Sequence, residues 1–227
     1  MSQRHLLENI IWKALTGPHM RFTVGTTKAR RYATGFSPIA GFLTVDNPDF
    51  GALARYCVPG EQLYCDGWSG PVPASWQIHA ESTMVKMAWD APLPIEDPTI
   101  GAVRLREEHA DMALELAQRM QPGPFGRRTP ELGDYFGYFS GARLVAMAGE
   151  RFHAGSFREI SGVCTDTEFQ GRGLARRLML KLVRRQLLRG EQPFLHVMSA
   201  NAHARALYQR MGFRDVLETV VRVVSLR

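Results

Sequence analysis

The segment Thr165-Asp-Thr-Glu-Phe-Gln170-Gly-Arg-Gly-Leu-Ala175 has the residue types of an anion cradle. Gln170, Gly171, Arg172, Gly173, Leu174, Ala175 and Arg176 stand between an apolar stretch ending at Thr165 and an amphipathic run. In that run Leu174, Leu178, Met179 and Leu182 share one stripe. Gly171 and Gly173 have no Cβ, so the backbone can curl tightly and approach a ligand closely. The first turn of the following helix leaves N–H groups without intrahelical partners, and its dipole adds positive potential. Phosphate groups bind at such a place. Arg172, Arg176, Arg177, Lys181, Arg184, Arg185 and Arg189 crowd into the same stretch, which again favours an anionic ligand. The plainer alternative is a glycine turn that caps an ordinary helix. Other phosphate motifs fit poorly: a Walker loop is absent, and a dinucleotide fingerprint needs a small residue where Arg176 stands.

A second group follows at Asn201-Ala-His-Ala-Arg-Ala-Leu-Tyr208-Gln-Arg-Met-Gly212-Phe213. Asn201 can cap a helix through its side-chain oxygen. Asn201 and Tyr208 are seven residues apart, two helical turns, and so face the same way. Ala204 and Ala206 keep the helix slim, and Gly212 suits a left-handed C-terminal position. Taken alone, Tyr208 reads as a core aromatic with its hydroxyl at the rim. His196, on an expected strand, and His203, in a helix's first turn, read as structural histidines.

These groups need elements to hold them. In the second half, Val103–Leu105, Tyr135–Phe139, Leu144–Glu150, Phe157–Thr165, Phe194–Met198 and Thr219–Leu226 have the pattern of strands. Glu107–Met120, Gly173–Arg189 and Ala202–Met211 have that of helices, the middle one closed by Gly190. The first half suggests a helix over Leu6–Leu15 stopped by Gly17-Pro18, a short helix over Asp49–Tyr56, and strands at Arg21–Val24, Gln62–Cys65, Trp76–His79 and Thr83–Trp89. The expected fold is α/β, a mixed and mainly antiparallel central sheet flanked by helices, preceded by a smaller α/β lobe. The boundaries fall at residues 1–90 for the lobe, 91–99 for a Pro-rich linker and 100–227 for the working domain.

Composition narrows the class. The 227 residues are 45% hydrophobic and 22% charged, with a net charge of +6, as in an ordinary globular protein with an affinity for anions. Cys57, Cys65 and Cys164 make neither a disulfide framework nor a zinc motif, so no metal is expected. No apolar run reaches the roughly 20 residues that span a bilayer. Glu8 and Asn9 interrupt any signal-peptide core, so the expected location is cytoplasmic, without a membrane partner.

Gln170-Gly-Arg-Gly-Leu-Ala175 resembles the Q/R-x-x-G-x-G/A signature of the GNAT N-acetyltransferase superfamily. Residues 201–213 resemble that family's second motif, N-x-x-A-x-x-L-Y-x-x-x-G-F, at the expected distance downstream. The resemblance covers about residues 100–227 and is nearest the glycine N-acyltransferase-like branch, where a degenerate lobe comes first. It implies acetyl-CoA as acyl donor, its pyrophosphate on the loop amides. It further implies the pantetheine arm along Val163, Cys164 and Thr165 and against Asn201, and Tyr208 as proton donor to the departing thiolate. Glu159, eleven residues before Gln170, has the spacing of the general-base glutamate of histone-type members; the competing reading is an ion pair with Arg143 or Arg151. Simple alternation would put Glu159, Ser161 and Val163 on one face of their strand and Ile160 and Cys164 on the other. A partly buried Glu159 would have a raised pKa. Cys164 is not expected to carry the acyl group. The implied acceptor is a small-molecule or peptide amine, with homodimer formation left open and no nucleic acid partner. The rival readings are a non-catalytic acetyl-CoA sensor and a nucleic-acid binder using the basic helix.

Overall fold

The structure, a computed structural model, describes residues 3–95 and 101–227. The first half contains α1 (Gln3–Glu8), α2 (Ile10–Thr16), β1 (Thr23–Gly25), β2 (Ala29–Tyr32), β3 (Ile39–Phe42), α3 (Phe50–Ala54), β4 (Leu63–Asp66) and β5 (Trp76–Trp89). The second half contains β6 (Val103–Arg104), α4 (Ala110–Met120), β7 (Tyr135–Ser140), β8 (Arg143–Ala154) and β9 (Phe157–Thr165). It continues with α5 (Leu174–Leu188), β10 (Gln192–Met198), α6 (Ala202–Met211) and β11 (Phe213–Leu226).

These strands make one sheet in the order β1-β2-β3-β4-β11-β5-β10-β9-β8-β7-β6. Among the described residues only β3–β4 and β9–β10 run parallel. The sheet is therefore mixed and mainly antiparallel, as expected from the strand-rich middle of the sequence.

Helices cover both faces. Alternate residues of β7 separate them: Phe136 packs in the cluster around α5, and Tyr135 in the cluster around α4. The amphipathic repeat of α5 buries Leu178, Met179, Leu182 and Val183 against Ala146, Ala148, Ile160 and Leu195. Each such side chain stabilises the fold by about 1.5–3 kcal/mol relative to exposure. On the opposite face α2 packs Ile10, Ile11, Ala14 and Leu15 against Phe152, Phe157 and Phe194.

The two halves are not separate bodies. β5, from residues 1–90, lies between β10 and β11 and pairs with β11 along its whole length, from Trp76↔Leu226 to Trp89↔Phe213. β4 pairs with the far side of β11. The division at 91–99 is one of sequence, not of the sheet; residues 96–100, which include the end of that stretch, lie outside the described residues. The polar run His79-Ala-Glu-Ser82 suggests a break between two strands, but β11 supplies a continuous ladder that carries β5 through it. The same ladder extends β11 back to Phe213. β2 and β3, which the sequence reading left unassigned, are short and owe their pairing to each other and to β4.

Candidate active site

The site is built around a place where two strands part. β9 and β10 pair only at Phe157↔Gln192, Arg158↔Pro193 and Glu159↔Phe194. Past Glu159 no strand pairs with β9 on that side, while β8 continues to hold its other edge up to Ala146↔Thr165. The backbone of Val163, Cys164 and Thr165 thus borders a cleft. A cavity of about 550 Å³ occupies it, with Ile160–Val163 on one wall, Leu195–Met198 on another, and Asn201, Ala204 and Tyr208 closing one side.

A bulge shapes the β9 wall. Between Ser161↔Gly149 and Cys164↔Met147 the register shifts by one residue, and Gly162 has φ +63°. The extra residue breaks the alternation expected from the sequence. Ile160 and Val163 both pack toward α5, and Cys164 turns toward α4. A Cβ at Gly162 would lie 3.1 Å from the Tyr135 ring, so both the conformation and the space favour glycine there. Cys164 is buried, and burial pushes its thiol up to about 12. It is no nucleophile at neutral pH.

The loop before α5 has the left-handed glycines that its sequence suggests. Gly171 and Gly173 have φ +75° and +74°, and Gly173 immediately precedes α5. No heavy atom lies within 4 Å of where a Cβ would sit on either, leaving the loop open. Gln170 ties the loop back by donating from Nε2 to the Thr165 carbonyl at 3.2 Å, and Arg172 donates to the Glu168 carbonyl at 3.2 Å. Arg176 and Arg177 are exposed on the first turn, with no acidic partner among the described residues. Further along, Arg185 binds Asp134, and Arg189, just past the end of α5, binds Glu150 and Glu191.

Across the cleft, Asn201 Oδ1 accepts from the Ala204 amide at 3.0 Å and caps α6, and Gly212 ends that helix at φ +119°. The Tyr208 ring meets Phe213 edge-on at 6.2 Å between centroids. Burial raises the Tyr208 phenol above its ordinary value. Its hydroxyl has no hydrogen-bond partner among the described residues and stays protonated through the neutral range.

Glu159 departs from expectation. It is 1% exposed and receives Arg151 on both oxygens, Nη2 at 2.7 Å and Nε at 2.9 Å, with the Phe152 amide adding a third bond. Burial alone would raise this carboxyl, but Arg151 and His196, by charge and hydrogen bond, outweigh it and hold the carboxyl at about 2. The expected rise in pKa is thus reversed, and the ion-pair reading with Arg151 describes the residue. Arg143 instead binds Asp166 and Glu168. A carboxyl held so low is too weak a base to take a proton from an ammonium group unaided.

His196 is the residue that sequence reasoning passed over. It lines the cavity, its Nδ1 lies 2.6 Å from Glu159 Oε1, and its Nε2 is buried without a hydrogen-bond partner among the described residues. The only signal in the sequence was a lone histidine at the centre of Phe194-Leu-His-Val-Met198. Nothing there told which acid would face it.

The fold, the parted strands and the glycine loop define a class, and comparison with known proteins agrees. The family of FR47-like proteins matches residues 135–223. Over 130 residues the chain is 32% identical to N-alpha-acetyltransferase RimI of Mycobacterium tuberculosis, covering 53% of this chain and 81% of that protein. A crystal structure of a putative acetyltransferase from the GNAT family of Novosphingobium aromaticivorans is 32% identical, with a TM-score of 0.86 over 98% of this chain and 99% of that one. A GCN5-related N-acetyltransferase from Kribbella flavida, 15% identical with a TM-score of 0.58, shares the fold over 95% of this chain and 94% of its own. The chain belongs to the GNAT acetyltransferase family.

Proposed function

We propose that this chain transfers the acetyl group of acetyl-CoA directly to a primary amine in a ternary complex. The observation that carries the proposal is the joining, in one cavity, of the parted β9–β10 edge with Tyr208 and Asn201, with the open Gly171–Gly173 loop following β9 in the chain. Loop amides and the start of α5 would hold the pyrophosphate, with Arg172, Arg176 and Arg177 nearby for further phosphate charge. The backbone edge at Val163–Thr165, which no described strand pairs on the β10 side, would bind the pantetheine amides as an added strand does. The Asn201 side-chain nitrogen remains available for the same arm.

Catalysis would rest on holding amine and thioester together and on stabilising charge as it develops. The amine lone pair forms the N–C bond, the C–S bond breaks, and Tyr208 supplies a proton to the departing sulfur. Loop Met120–Pro124 and the first-half residues Asp66, Glu81 and Ser82 line the far end of the cavity and would meet the acceptor. The name of the Mycobacterium relative puts peptide N-termini first among acceptors to try. Glycine and other amino acids come next, as the glycine N-acyltransferase-like branch would require.

The test is calorimetric titration with acetyl-CoA followed by free-thiol detection across peptide, amino-acid and polyamine acceptors. Saturable binding with amine-dependent thiol release is the expected result. Binding without release on any acceptor would favour an acetyl-CoA sensor instead.

A further inference from the structure

We infer that His196 is the general base of the reaction and that Glu159, anchored by Arg151, is the positioning residue that orients it. The inference rests on the acetyltransferase reading above and adds the proton acceptor that reading lacks.

A carboxylate only accepts hydrogen bonds, so the 2.6 Å contact with Glu159 Oε1 requires the proton on Nδ1 of His196. That tautomer leaves the lone pair on Nε2. Nε2 is the nitrogen that is buried and without a protein partner, on a side chain that lines the cavity. Native proteins rarely leave such an atom unpaired unless water or a ligand completes it. The rings of Phe152 at 6.0 Å and Phe194 at 5.4 Å, both edge-on, restrain the imidazole plane.

The surroundings suit a cation that forms and then discharges. When Nε2 takes a proton, the imidazolium lies against an anionic Glu159, the arrangement by which a buried acid stabilises a histidine base. Arg151, bonded to both Glu159 oxygens, keeps that carboxylate charged and fixed. The other charged and titratable groups close by are the buried Lys86–Asp66 pair, joined at 2.6 Å, with Lys86 the cross-strand partner of His196, and the phenols of Tyr32 and Tyr135. Lys86 is paired with Asp66, and the charged group in direct contact with the imidazole is Glu159.

The proton balance closes. The bound ammonium loses one proton to Nε2, directly or through one water, and the neutral amine attacks the thioester carbonyl. As the C–S bond breaks, the second proton leaves nitrogen and reaches sulfur by way of the Tyr208 hydroxyl. The products are an amide and free CoA thiol. The imidazolium then returns its proton to solvent.

The experiment uses the full chain. Nitrogen-15 NMR of the free protein should show neutral His196 protonated on Nδ1, and Glu159→Gln should change that signal; a neutral ring protonated on Nε2 overturns the inference. On an accepted amine, His196→Gln should lower kcat by about 10²–10⁴-fold while acetyl-CoA affinity and melting temperature stay near wild type. On the same acceptor with an aminooxy group in place of the amine, which is already neutral near neutral pH and needs no deprotonation before attack, the loss should be at least tenfold smaller. A merely structural histidine would lower both equally. Imidazole added to His196→Ala should restore part of the rate. An active wild type whose His196→Gln variant keeps near-normal turnover on the ammonium acceptor overturns this inference alone. A wild type that binds acetyl-CoA and acetylates nothing overturns the functional reading and this inference with it.

Discussion

Replacing Tyr208 by Phe separates chemistry from packing. The Tyr208 ring rests edge-on against Phe213, a contact Phe preserves, and the hydroxyl that disappears has no protein partner among the described residues. Stability should therefore change by no more than about 0.5 kcal/mol, the usual range where no specific bond is broken. Acetyl-CoA affinity should be nearly unchanged, because the hydroxyl acts only when negative charge reaches the sulfur. A positioned proton donor contributes about 10²–10⁴-fold, and the lower end applies because a thiolate leaves well even unprotonated. A hundredfold loss in kcat corresponds to about 2.7 kcal/mol of transition-state stabilisation. Burial raises the phenol, so the donor stays protonated through the neutral range and Tyr208 adds no pH limb there. The assay is steady-state thiol release together with calorimetric titration of acetyl-CoA. Wild-type kcat in the variant would refute the reasoning and return Tyr208 to the core; lost binding with intact folding would assign it to substrate affinity instead.

Three further outcomes follow from the same geometry. Gly173→Val should abolish the thermal shift produced by acetyl-CoA, because a β-branched residue is strained at φ +74° by roughly 1–2 kcal/mol and its Cβ would fill the cradle. Asn201→Ala should cost about 1 kcal/mol through loss of the α6 cap, read from urea unfolding. Acid should destabilise the fold in two windows. His19 is held down from 6.5 to about 4 by burial and by the nearby Arg158, so its folded pKa lies below the unfolded one. Its contribution is complete above pH 6.5 and is lost as the pH falls toward 4. Glu159, also depressed, contributes fully above its ordinary 4.5 and loses that contribution as the pH falls toward 2. Urea unfolding against pH should show both losses, and His19→Gln should flatten the first; an unchanged upper window in that variant would contradict the assignment.

Much of this protein was legible in local sequence because the chemistry concerned is local. Gly171 and Gly173 adopt left-handed backbone just before a helix, and a Cβ-free residue is the natural occupant of that conformation wherever the rest of the chain goes. Asn201 caps the helix it begins, and Gly212 ends it, through bonds that span three or four residues. The amphipathic stripe of α5 carries its own period. These features form the part of the proposed site assigned above to acetyl-CoA.

The cavity wall around Glu159 and His196 was decided by contacts between residues far apart in the chain. Glu159 meets Arg151 across one strand pair and His196 across another, 37 positions later, and those two partners lower a pKa that burial alone would have raised. The bulge at Gly162 shifts the alternation of β9 by one residue, so Cys164 and Val163 exchange the faces that a simple period of two assigns them. β5 enters the centre of the sheet only because β11 and β10 present matching edges on either side. Turns, caps and helical stripes depend on bonds within a few residues and are written in composition and spacing. Strand register, the parting of β9 from β10 and the charge state of a buried carboxylate depend on which distant groups finally meet, and only the folded chain settles that.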